Sequence, residues 1–293
     1  MKTSSVLPAP TVLKRRESFR KTFAVRLLPR LVLLAFCGIF FFPFWQMFIT
    51  SVKTTQDLGT YPPTLWPVTF VWSNYVDAVK YIPFLQFTIN SFILAAGNTI
   101  GAILSNSLIA YGFARIKWPG RDKLFYLALS TLFIPFPVTI VALFDIFARV
   151  HWVNTYLPLI VPSFLGQAFY IFLMRQFLMG IPKELSEAAR IDGANEFQTF
   201  WRVILPLMKP AIAVVAIFAG VAAWNDFLSP LLFLNSEELY PLSIGLQFYR
   251  SQHTVAYTLL MAASTLVVLP VIALFLGFQK FFIEGVTVGS VKG

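Results

Sequence analysis

Two histidines, one cysteine and thirteen acids are the residues from which this 293-residue chain could build chemistry. His151 and His253 stand alone, with no metal-ligand spacing around them, so no metal site is expected. Cys37 has no second cysteine to pair with. It sits inside an apolar run, where a small buried residue is the plain expectation. No Ser/His/Asp set and no pair of carboxylates has the arrangement that nucleophilic or acid–base catalysis requires. The phosphate-cradling pattern G-x-x-x-x-G-K-[ST] does not occur. The chain is therefore expected to catalyse nothing and to hydrolyse no ATP by itself.

The charge chemistry concentrates instead in one stretch, residues 182–206, PKELSEAARIDGANEFQTFWRVILP. Lys183, Glu184, Glu187, Arg190, Asp192, Glu196 and Arg202 crowd there, in a chain that is only 12% charged. Pro182 suits a first helical position. Glu184 and Glu187 then fall in the first turns, where a helix N-terminus favours acids. Ala188 and Ala189 favour helix, Arg190 and Asp192 follow, and Gly193 can take the left-handed conformation that stops it. Phe197, Phe200, Trp201 and Ile204 recur at i, i+3, i+4, i+7 and predict a second, amphipathic helix. Pro206 and Pro210 are expected to end it. A solvated charged loop is the plain alternative; the order of features favours a helix–Gly–helix elbow.

The elements that position this elbow are membrane spans. Hydrophobic residues make up 57% of the chain, mean hydropathy is +0.72, and uncharged runs of the roughly 20 residues that cross a bilayer recur. Spans are expected near 31–50, 87–113, 124–144, 156–174, 211–234 and 257–278. All but four of the 23 Lys and Arg fall on one side of these spans; Lys53, Lys80, Arg149 and Arg250 fall on the other. The excess of basic loops marks the cytoplasmic side, so both termini and the elbow are expected there. The net charge of +10 is thus explained by topology, and no nucleic-acid partner is expected. Residues 1–25 read as a basic tail and 26–293 as one six-span domain.

Between the first two spans, Pro62, Pro63 and Pro67 forbid a regular helix. Ser73 could cap a short helix over 74–81, with Tyr75, Val76 and Val79 lying on the membrane surface. Pro135 and Pro137 should kink the third span. Gly97-x-x-x-Gly101 and Ala216-x-x-x-Gly220 should let helices approach closely.

At the elbow the sequence resembles a family. EAARIDGANEFQTFWRVILP looks like the EAA signature of the membrane subunits of bacterial ATP-binding-cassette importers. Glu187-Ala188-Ala189, Gly193 and Leu205-Pro206 match its spacing, and Val203 stands for the usual Ile. FLMRQFLMGIPKELSEAARIDGA, WNDF at 224–227, NTYLPLIVP at 154–162 and the ending FFIEGVTVGSVKG resemble the carbohydrate-uptake branch, most of all the smaller permease of the maltose type.

The resemblance implies an all-α membrane fold of six transmembrane helices with a cytoplasmic coupling helix between spans 4 and 5. It implies a multi-pass protein of the bacterial plasma (inner) membrane. It assigns Glu184, Glu187, Ala188, Ala189, Arg190, Asp192 and Gly193 to coupling with an ATPase. Phe197, Phe200, Trp201, Ile204 and Pro206 would anchor the coupling helix to the bundle. The partners implied are a second permease subunit, two ATPase subunits that hold the ATP and Mg, an extracellular or periplasmic solute-binding protein and a carbohydrate. Glycerol-3-phosphate or a related polyol is the alternative cargo. An ion-coupled secondary transporter would want mid-membrane ionisable groups, which the span centres scarcely offer.

On that reading, Trp224, Asn225 and Asp226 meet the sugar, the outer gate or the delivering protein. Asp226 lies about 22 Å along its span, near the outer end, and an acid merely wetted by outside water is an equal reading. Asn90 and Asn98 either pack between helices, the favoured reading, or line the path.

Overall fold

In the computed structural model the described residues are 27–62, 64–250 and 255–288, with side chains described as far as 280. Expectations for the basic tail, Pro63, His253 and the last five residues lie outside them. Every extended element among the described residues is helical: α1 (Leu28–Ser51), α2 (Ser73–Tyr81), α3 (Phe84–Ala114), α4 (Arg121–Ser130), α5 (Phe136–Arg149), α6 (Ala168–Gly180), α7 (Glu184–Ile191), α8 (Glu196–Leu207), α9 (Lys209–Asn225), α10 (Leu228–Phe233) and α11 (Tyr257–Val288). Four stretches, Leu28–Ser51, Phe84–Ala114, Leu157–Gly180 and Tyr257–Lys280, are long and apolar enough to cross a membrane. Two bent pairs, Arg121–Phe133 with Phe136–Arg149 and Glu196–Leu207 with Lys209–Asn225, bring the number to as many as six if each pair counts as one span.

The third span is not one helix. Arg121–Phe133 and Phe136–Arg149 meet at 101°. The cause is local. A residue before proline is driven out of the helical region, and Ile134 has ψ 114°. Pro135 follows in extended conformation, and Pro137 stands in the first turn of α5, where its missing N–H costs nothing. The fifth span is also shorter than expected. α9 stops at Asn225, Asp226 is extended, and α10 restarts the helix two residues later.

α3 is the axis of the bundle. Its most extensive contact is with α9, and it also carries α6 and the turns over 157–165. Close approach depends on missing side chains. A Cβ on Gly97 would lie 2.9 Å from Ile160, one on Gly101 2.0 Å from Ser163 Oγ, and one on Gly220 3.2 Å from Thr99 Oγ1. These are the small-residue interfaces that membrane helices use when lipid supplies no hydrophobic drive.

Polar side chains close the backbone where span 4 breaks. Gly166 takes φ +92°, and the next N–H, of Gln167, donates to Asn106 Oδ1 at 2.7 Å. Asn106 is fully buried and donates in turn to the carbonyl of Ala102. Ser105 donates to the carbonyls of Gly101 and Ser163, both at 2.8 Å. Asn98 spans the same seam, donating to Leu94 O and Leu159 O, both at 2.9 Å.

Two expectations are corrected at the periphery. α2 begins at Ser73 and has no side-chain cap. Its buried face is Asn74 and Ala78, while Val76 and Val79 are exposed. Asn74 sets that face by donating to the carbonyls of Ser51 and Lys53 at 2.9 Å, which end α1. Cys37 is exposed, not buried, because α1 packs chiefly by one flank, against α11.

Gly101→Leu is expected to destabilise the bundle by at least about 1–3 kcal/mol, since Ser163 and Phe164 leave no room. Gly112→Ala, with nothing within 4 Å, should be neutral. Thermal unfolding of both variants in detergent, followed by loss of the monodisperse peak, checks this.

Candidate functional site

The elbow forms as helix, Gly turn and helix, with three local corrections. α7 starts at Glu184 after Lys183, so Pro182 stands before the helix, not in it. Glu184 and Glu187 do occupy the first turn. Gly193 takes φ +84° just past Asp192, and the following N–H of Ala194 reaches back to Ala189 O at 2.9 Å. α8 then opens with a capping box: Asn195 Oδ1 accepts from Gln198 N at 2.8 Å, and Gln198 Oε1 accepts from Asn195 N at 3.0 Å.

The second correction concerns the apolar stripe. Thr199–Ile204 is a π-helical turn, so its bonds run i to i+5 and each turn is wider than in an α-helix. Residues four apart now share a face. Phe200, Ile204 and Met208 are almost completely buried, against Tyr111, Met174 and Leu178. Phe197 and Trp201 form a separate exposed pair, stacked at 6.1 Å. The predicted single stripe therefore splits in two.

The third correction concerns Pro206. It is exposed within the last turn of α8 and does not end it. The chain turns by 78° at Met208, between Leu207 and Lys209.

The residue that joins the elbow to the bundle is Glu196, which the charge pattern contained but gave no role. Arg190 Nε of α7 donates to Glu196 Oε1 at 2.7 Å, and the hydroxyl of Tyr111 in α3 donates to Oε2 at 2.8 Å. The Arg190 hydrogen bond holds the Glu196 carboxyl below the usual carboxylate range, and Glu196 raises Arg190 in return. One carboxylate thus ties both elbow helices to the central span. Beside it, Arg115 Nη2 donates to Leu178 O at 2.9 Å and Ile181 O at 2.6 Å, fixing the start of the elbow to the end of α3. Tyr111 lies 85 residues from Glu196, and no periodicity in the sequence signals such a pair.

The outward surface of the elbow is mixed. Glu184, Glu187, Ala188, Asp192 and Gly193 are exposed, whereas Ala189 turns inward. Ile191, unremarked in the sequence, is 86% exposed at the tip. Charges of both signs, Lys183 and Arg190 beside Glu184, Glu187 and Asp192, thus surround an exposed aliphatic side chain.

A second candidate site lies inside the bundle, around the middle of α3. A cavity of about 380 Å³ opens between α3, α5, the turns over 157–165, α9 and the Asp226 bend. Asn98 and Asp226 both line it, together with Gln167 and Tyr170, which the sequence did not single out. The other three candidates lie elsewhere. Trp224 is buried against Phe92 and donates to Val267 O at 3.2 Å. Asn90 is buried and holds the carbonyls of Glu238 and Tyr240. Asn225 is exposed and folds back onto Val221 O. Among the described residues no group of three His, Cys, Asp or Glu could hold a metal ion.

Comparison with known proteins gives a family and a fold. A family model described as binding-protein-dependent transport system inner membrane component matches residues 22–288. The arabinooligosaccharides transport system permease protein AraQ of Halalkalibacterium halodurans is 34% identical, over 89% of this chain and 93% of that protein. The sn-glycerol-3-phosphate transport system permease protein UgpE of Pectobacterium atrosepticum is 31% identical, over 83% and 89%. In fold, the chain is similar to a chain in the crystal structure of a bacterial ABC transporter involved in the import of the acidic polysaccharide alginate. The TM-score is 0.80, the identity 21%, and coverage 91% of this chain and 99% of that one.

Gly193→Ala forces a left-handed Ala at an open site and should cost about 1–2 kcal/mol. The loss should be confined to the elbow. Hydrogen exchange of amides 184–198 is expected to quicken while α3 and α9 stay protected.

Proposed function

The chain belongs to the binding-protein-dependent transport system inner membrane component family, and from that premise we propose that it is the transmembrane subunit of an ATP-driven carbohydrate importer. It forms half of the translocation pathway and couples that half to cytosolic ATPase subunits. The observation that carries the coupling role is the Arg190–Glu196–Tyr111 link between an exposed elbow and the central helix.

In this reading two ATPase subunits hold the ATP and Mg, and one of them receives the tip formed by Glu187, Ala188, Ile191 and Gly193. A docking contact shifts a transporter only if it binds two conformations with different affinity. Closure of the ATPase pair would supply that difference. Motion of α7 passes through Glu196 to α3, and through Phe200, Ile204 and Met208 to the core where α3, α6 and α9 meet. A second permease completes the pathway, and a binding protein outside delivers the solute. Both termini face the cytoplasm, as the distribution of Lys and Arg supports. The membrane is the bacterial inner membrane.

A carbohydrate is favoured as cargo by the arabinooligosaccharide relative. Glycerol-3-phosphate is the second reading, supported by the other relative. An ion-coupled carrier is not favoured.

Glu187→Lys and Gly193→Asp should insert and assemble normally yet lose at least about tenfold in ATP-driven uptake, the scale of one misplaced charge at a docking contact. Uptake and ATP hydrolysis are measured side by side in proteoliposomes. Wild-type uptake in both variants would count against the coupling role.

A further inference from the structure

The cavity beneath Asp226 is equipped for one class of solute. Its charged lining group is a single carboxylate, and no Lys, Arg or His lines it among the described residues. Asp226 Oδ1 accepts from Ser229 N at 3.2 Å; Oδ2 makes no hydrogen bond to a described residue and is left for a ligand. Asn98 points the same way. Both protons of its amide group are directed at backbone carbonyls, of Leu94 and Leu159, which fixes the amide and leaves Oδ1 as a second open acceptor. Phe136, Phe147 and Phe233 contribute to the apolar part of the lining.

Open acceptors call for donors. Sugar hydroxyls donate, and a hydrogen bond to a carboxylate is about twice as strong as a neutral one. The C–H faces of a sugar ring suit aromatic walls. The volume falls within the range of small-ligand sites. A phosphate or uronate would meet the opposite: acceptors facing acceptors, and a like charge in a partly dry cavity where screening is weak.

We propose that this cavity is a solute subsite carried by this chain, in which Asp226 and Asn98 bind the hydroxyls of an uncharged saccharide and Asp226 excludes anionic solutes. The proposal rests on the importer reading above and sharpens it. Of the cargoes named for the relatives, it selects the neutral oligosaccharide class over glycerol phosphates and acidic polysaccharides.

The test uses membrane vesicles containing the complete importer, with Cys37→Ser and Ala223→Cys in this chain; Ala223 lines the cavity. Ala222→Cys, also on the lining, substitutes if the first variant does not assemble. The new thiol is reacted with methanethiosulfonates of similar size bearing either trimethylammonium or sulfonate, each rate normalised to a free thiol. The cationic reagent is expected to be favoured at least about tenfold, and Asp226→Asn should bring the ratio to within about twofold of unity. Arabinotriose or raffinose should slow labelling, and sn-glycerol-3-phosphate should not.

Absence of labelling, a charge preference that survives Asp226→Asn, protection by neither trisaccharide, or equal protection by the phosphate would each overturn the proposal. ATP-dependent uptake is scored separately. If uptake ignores inactivation of the ATPase while the charge preference persists, the importer reading fails and the cavity's electrostatics stand. The reverse pattern removes the subsite alone.

Discussion

A backbone amide or carbonyl released inside hydrocarbon must find a partner within the protein, because no water is there to take it. This fold breaks its helices at membrane depth and then meets that demand with a few short polar side chains. Asn106 accepts the amide freed after Gly166, Ser105 ties Gly101 to Ser163, and Asn98 ties Leu94 to Leu159. All three project from α3, which explains why that helix is rich in Asn and Ser yet remains a span. The broken chain opposite it is tolerable only because α3 supplies the missing bonds. The cavity is lined in part by that broken chain.

The elbow obeys a related constraint. A short helix outside the membrane has little intrinsic stability, so its position must be imposed by contacts. Glu196 does this with one carboxylate shared between Arg190 and Tyr111, while Phe200, Ile204 and Met208 fill the space beneath. The π turn is what allows both. An α-helical Thr199–Ile204 would bring Phe197 and Trp201 round toward the face that Phe200 and Ile204 now hold alone. With the wider turn, the aromatic pair stays outside and the buried face narrows to residues four apart.

Much of this was legible in the residues. Gly193 announced its left-handed turn, the acids of α7 announced an N-terminus, Gly97 and Gly101 announced a close approach, and Pro135 and Pro137 announced a break. Each is a local signal, carried by the residue that bears the conformation. What escaped was non-local or depended on turn geometry. Nothing near Glu196 points to Tyr111. An i, i+3, i+4 count presumes 3.6 residues per turn and fails where the turn is wider. Ser73 is a good cap by type, but Asn74 had the ends of α1 to satisfy and set the helix rotation first. At the cavity, Asp226 and Asn98 could be named as polar residues in apolar runs. Only the fold shows that they share a wall and that Trp224, Asn90 and Asn225 do not.

The right-angled joints have a mechanical consequence. α8 meets α9 at 78°, and α4 meets α5 at 101°. Under the proposed coupling role, a push along one arm of such a crank would be delivered as torque on the other, so that sliding in the plane of the bilayer would become tilt across it. Such a torque would first act at the bends, at Ile134 and at Met208. The gearing of such a machine would thus be set by two bend angles, and a chain of straight helices with the same surface would have no purchase.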